Sequence, residues 1–139
     1  MQAVFNEIIR LGDILDENGI DFVRKKAATN DENIKNIENQ LGITLPDDYK
    51  KFLLYANGLS YGSSEVHPVE EVCKYEFDNK YYIIGAFIGD GSLVVSDSEG
   101  NVYYYDHEFG VKATTFADFL DKWIIRLQKD DLKDNGIEI

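Results

Sequence analysis

His67, His107 and Cys73 are the side chains of this sequence best equipped for metal binding or nucleophilic attack. The two histidines stand forty residues apart, neither has a second ligand type at the spacing of a zinc site, and Cys73 has no CxxC partner. Structural or surface roles are expected for all three, and no metal site is assigned. Gly89-Asp90-Gly91-Ser92 has the look of a phosphate loop but lacks the lysine and the following helix that make such loops work, so it reads as a turn between strands. Asp97-Ser98-Glu99-Gly100-Asn101 shares only its acidity with a calcium loop, because its glycine is misplaced and no bidentate glutamate follows at the required position. Asp106-His107-Glu108, read as neighbours along one strand, alternate between faces and cannot converge on a reacting atom. Carboxylates abound, but nothing separates an acid from a base. The chain is expected not to be an enzyme and to need no cofactor.

What remains is chemistry for gripping another macromolecule. Between Phe52 and Val111 ten carboxylates face only Lys74 and Lys80, and this segment holds two thirds of the net charge of −12. Such a field repels nucleic acid and anionic membrane and attracts basic partners. Tyr61, Tyr75, Tyr81, Tyr82, Tyr103, Tyr104 and Tyr105 lie in the same segment. Tyrosine beside carboxylate can hold lysine and arginine through ion pairing and cation–π contact, although packing of the sheet is the plainer use of such rings. The expected partner-contacting residues are Glu65, Glu70, Glu71, Asp90, Asp97, Glu99, Tyr103, Tyr105, Asp106 and Glu108. Arg24-Lys25-Lys26, the only basic cluster, is too small for nucleic-acid binding and reads as a solvated face.

Positioning these residues falls first to Tyr81–Asp106, where aromatic and β-branched residues form runs of strand length. Tyr81–Ile88 is apolar on both alternating faces, Tyr81, Ile83 and Phe87 against Tyr82, Ile84 and Ile88, which predicts a central strand covered on each side. Leu93–Asp97 and Val102–Asp106 flank a short loop whose Gly100 can take positive φ, so an antiparallel hairpin is expected, with Tyr103 and Tyr105 on one face.

Three helices are expected before this sheet and one after it. The first, Ala3–Asn18, turns Phe5, Ile8, Ile9, Gly12 and Leu15 inward. The second follows a capping box at Thr29–Glu32, with Ile34, Ile37 and Leu41 inward and Gly42 as its stop. The third opens with Pro46 at its first position and buries Tyr49, Phe52, Leu53 and Ala56. Tyr61–Ser64 reads as a loop, Glu65–Cys73 as a strand interrupted at Pro68, and Glu108-Phe109-Gly110 as a turn before a strand at Val111–Ala113. Thr114 or Thr115 caps a last helix with a stripe of Phe116, Phe119, Leu120, Trp123, Ile124 and Leu127, and the polar tail from about Lys129 is expected to fray.

The sum is an α+β domain over residues 1–139: a mainly antiparallel, twisted sheet of about five or six strands, covered by N-terminal helices and a C-terminal amphipathic helix. At 139 residues and 44% apolar content the chain can bury a core, and a single cysteine suits a reducing, cytoplasmic setting. No apolar run approaches the roughly 18 residues of a membrane span.

Several segments together resemble the SUKH superfamily of immunity proteins, whose founding fungal member regulates cell-wall synthesis. The resemblance begins at Ile34-Lys35-Asn36-Ile37-Glu38, is strongest in LGITLPDDYKKFLLYANG (Leu41–Gly58), resumes in GDGSLVVSDSEGNVYYYDHE (Gly89–Glu108) and ends in Thr115-Phe116-Ala117-Asp118-Phe119-Leu120. It implies an α+β domain that acts by binding, without catalytic residues to carry over. The function implied is an immunity protein that neutralises a cognate bacterial toxin domain, such as a nuclease, by covering its active site through an acidic surface. The alternative is a regulatory or scaffold domain with no toxin partner, and a small-molecule binder with a pocket around Trp123 is a third class.

Overall fold

The computed structural model describes residues 2–20, 24–62, 64–87, 92–106, 108–113 and 115–138; for 24–25, 87, 104–106 and 108–113 it describes the backbone alone. Helix α1 (Gln2–Glu17) buries Phe5, Ile8, Leu11, Gly12 and Leu15. Ile9, expected inward, is 38% exposed. At about 100° per residue it lies at the margin of the stripe, whereas Leu11 falls inside it. Helix α2 (Asp31–Leu41) starts one residue later than the capping box implied: Asn30 is its N-cap, accepting from the Asn33 N–H at 2.9 Å. Gly42 ends it with φ of 65°. In α3 (Asp47–Tyr55), Pro46 is the N-cap rather than the first helical residue, and Tyr49, Phe52 and Leu53 are buried.

Among the described residues, eight strands form one antiparallel sheet: β1 (Arg24–Lys25), β2 (Leu59–Tyr61), β3 (Ser64–Val66), β4 (Cys73–Lys74), β5 (Tyr81–Phe87), β6 (Leu93–Asp97), β7 (Val102–Asp106) and β8 (Glu108–Ala113). Their order is β1-β2-β3-β5-β6-β7-β8, with β4 beside β5. Two are two-residue bridges, which leaves six strands of three residues or more, and the α+β reading holds. Tyr61 and Ser64, read as loop residues, are strand residues opposite each other in the β2–β3 hairpin. The basic pair Arg24-Lys25 is an edge strand on β2, and Lys26 beside it is exposed. Glu108-Phe109-Gly110 is strand rather than turn, because β8 pairs with β7 from Glu108 onward.

A bulge shifts the register of β5 against β6 between Ile83 and Gly85. There a Cβ on Gly85 would stand 2.7 Å from the Glu65 carbonyl oxygen, so only glycine lets β3 approach.

The chain closes with α4 (Phe116–Leu120), a π-helical turn (Asp121–Ile125) and α5 (Arg126–Asp134), running on without a break. Thr115 caps α4, accepting from the Asp118 N–H at 3.0 Å. The stretch from Lys129 that was expected to fray is helical to Asp134, and Leu132 is fully buried. The Gln128 amide donates to the Ile8 carbonyl of α1 at 3.0 Å, and the Tyr61 hydroxyl donates to the Asp131 carboxylate. Tertiary packing, not local propensity, extends this helix.

The two faces of the sheet differ. Val66, Tyr82, Ile84, Val94 and Val102 join every described α-helix in the main core. On the other face Tyr75, Tyr81 and Val95 pack with Ile83, Leu93 and Tyr103, and no described helix contributes. The double cover expected for β5 is therefore half right: one side is covered by helices, the other by rings from the sheet and its turns.

Candidate functional site

Of the ten expected contact residues, those whose side chains are described fall at two ends of the sheet. Strand alternation sets Glu65 opposite Ala86 and Ala86 opposite Leu93, which places Glu65 on the helix-free face near one end of the sheet. Asp97, opposite Tyr81, lies on that face at the far end of β6, and Tyr103 is on β7. From β3 to β7 is three strand spacings, roughly 14 Å.

At the first end, β3 is followed by a 3-10 turn (Val69–Glu71). Asn57 holds it, accepting from the Val69 N–H at 2.8 Å and donating to the Glu70 carboxylate at 2.8 Å. Glu71 thereby joins Glu65 and His67, and one ligand-type atom from each lies within 4.8 Å of the others. Main-chain bonds fix His67: its N–H donates to the Ile84 carbonyl at 2.8 Å, and its carbonyl accepts from the Tyr49 hydroxyl at 2.6 Å. Burial pushes the His67 pKa down, against the pull of Glu65 and Glu71. Its Nδ1 is buried without a hydrogen-bond partner among the described residues. Sequence reading passed over this cluster because it searched for a second histidine or a cysteine; the signal was the strand spacing of Glu65 and His67 with a proline-led turn behind them.

At the other end stands the β6–β7 hairpin. Asp97 locks it: its carboxylate accepts from the N–H groups of Glu99 and Asn101, each at 3.0 Å, from the Asn101 side-chain amide at 3.3 Å and from the Tyr103 hydroxyl at 3.2 Å. Four donors make Asp97 a structural residue first. Burial and the neighbouring Asp97 charge raise the Tyr103 pKa. Glu99 is exposed at the tip and overlooks a cleft of about 340 Å³ shared with Asp47, Asp48 and Lys51.

Between these ends runs an aromatic surface. Tyr81 meets Tyr103 edge-on at 5.7 Å, and Tyr75 meets Phe77 at 5.4 Å. Phe77 is 78% exposed, far more than any other large apolar side chain described. The sequence reading missed it, although an aromatic residue in Glu76-Phe77-Asp78-Asn79-Lys80 was the visible sign. Lys80 lies over the Tyr81 ring at 5.1 Å, an intramolecular cation–π contact.

The remaining assignments fare differently. Asp90 and His107 lie outside the described residues, as do Gly89 and Gly91. Tyr105 pairs in register with Leu93 and Phe109. Asp106 and Glu108 are opposite each other on β7 and β8, so they are cross-strand partners and not alternating neighbours in one strand. Trp123, the centre of the small-molecule reading, is buried against Phe119 and donates from its indole nitrogen to Ser64 Oγ at 3.1 Å. No described helix is long and apolar enough to cross a membrane.

The sequence profile of the SMI1 / KNR4 family (SUKH-1) matches residues 28–122, from the approach to α2 through the start of the C-terminal helix. A curated relative, "Uncharacterized protein YnaB" of Bacillus subtilis (strain 168), is 33% identical over 79 residues, 53% of this chain and 54% of its own. The chain thus spans about half the length of that relative.

Proposed function

The chain belongs to the SMI1 / KNR4 family (SUKH-1), whose members are often immunity proteins and generally non-catalytic, and on that premise we propose that it neutralises a toxin domain by binding it. The toxin surface it fits is basic, and binding covers the active site or substrate groove. One observation supports this above the others: the helix-free face of the sheet carries exposed Phe77 beside Tyr75, Tyr81 and Tyr103, with acidic side chains around it. Rings of this kind anchor interfaces, and the surrounding carboxylates speed encounter with a basic partner. Of the expected contacts, Tyr103 lies on this face and Glu99, at the hairpin tip, is near enough to act on it electrostatically, while Asp97 serves by holding the hairpin in shape.

The test takes as candidate toxin the C-terminal domain of any large secreted protein whose gene is found to neighbour this one. Phe77→Ala is expected to weaken binding about 30-fold, the equivalent of about 2 kcal/mol at an interface anchor, without lowering Tm. Glu76→Lys with Glu99→Lys is expected to slow association and flatten its salt dependence. Unchanged affinity in all of these variants removes this face from the reading. Failure of the domain to bind the native protein removes the toxin.

A further inference from the structure

We propose that Glu65, His67 and Glu71 form a binding site for a divalent transition-metal ion of the zinc type. The inference is independent of the immunity reading. Strand spacing sets Glu65 and His67 on the same face, and the Asn57-held turn returns Glu71 to them, with the three ligand atoms inside a 4.8 Å span. Zinc with nitrogen and oxygen ligands at about 2.0–2.2 Å separates neighbouring ligand atoms by about 3.4 Å. The remaining gap is small and falls to the two glutamates, of which Glu65 is half-buried and Glu71 exposed, while main-chain bonds on both sides hold His67 in place.

The electrostatics point the same way. Two carboxylates converge on an imidazole, and one nitrogen with two oxygens is a donor set that binds zinc-type ions. Among the residues whose side chains are described, neither carboxylate forms an ion pair with a lysine or arginine. The His67 Nδ1 has no partner there either, a costly state for a buried polar atom. A divalent cation balances the two negative charges and takes an imidazole lone pair. One imidazole and two carboxylates suit zinc-like ions, whereas calcium needs six to eight oxygens and magnesium keeps most of its water. Three protein ligands leave a fourth position for water or for a side chain of a docked protein.

The full-length protein, stripped with chelator, is titrated with Zn²⁺ against a chromophoric zinc chelator, and its Tm is recorded with and without the ion. The expected result is saturable uptake of one equivalent and a raised Tm. Affinity falls at least about tenfold in His67→Gln and in Glu71→Gln, stays unchanged in Glu99→Gln, and is not competed by excess Mg²⁺. Glu71 is exposed, so its variant reports on binding even if His67→Gln folds poorly. Absence of saturable uptake, uptake indifferent to Glu71→Gln, or equal loss in Glu99→Gln each overturns the site.

Discussion

Tyr82 condenses the logic of single residues in this protein. Its ring lies in the main core, and its hydroxyl sits between the carbonyls of Thr44, at 2.7 Å, and Asp97, at 3.1 Å. Burial pushes its pKa from 10.0 up to about 12. Between those values the unfolded chain gives up this proton and the native protein keeps it. The native state then binds more protons, so stability falls as pH rises through the window. Tyr49, wholly buried, is shifted in the same direction. Urea denaturation across this range should show a loss that is shallower in Tyr82→Phe; an identical slope in the variant would refute the assignment. Asp97 teaches a different lesson at the same scale. Its type and its place in an acidic segment marked it equally well for a partner or for a turn, and the four donors around it show the turn. Asp followed by Ser-Glu-Gly-Asn is a turn-forming pattern, and that chemistry was the stronger signal.

Elements were legible wherever the pattern is local. The strands Leu93–Asp97 and Val102–Asp106 fall where alternation and Gly100 put them, and helices α1 to α3 follow from apolar stripes with glycine and proline punctuation. What escaped the sequence depends on distant partners. Lys129–Asp134 looks polar because only one of its side chains, Leu132, is wholly buried, and the neighbouring helix turn and α1 supply the rest of the support. Leu132→Ala should therefore destabilise the fold by about 2–4 kcal/mol and lower Tm by several degrees. A fraying tail would tolerate the change, so an unaltered denaturant midpoint would contradict the helix. The Glu65–His67–Glu71 cluster escaped for a similar reason, since its third member arrives through a short 3-10 turn that no periodicity announces.

At the scale of the whole molecule, composition gave the class and the charge, but it could not say which face of the sheet the helices would take. That asymmetry leaves a surface of rings on one side and a packed core on the other. The order of the strands carries a further consequence, for the sequence of folding events. From β5 to β8 each strand pairs with the next along the chain, so every closure is short. The first and last helices instead meet across 120 residues, at Ile8 and Gln128, and joining distant segments costs more chain entropy. The meander should form early, and the α1–α5 seam should zip last. In native-state hydrogen exchange the amides of α1 should open with less free energy than those of β5 and β6. Uniform protection across both would show that the molecule has no such seam; the expected gradient would make it the place where the protein begins to come apart.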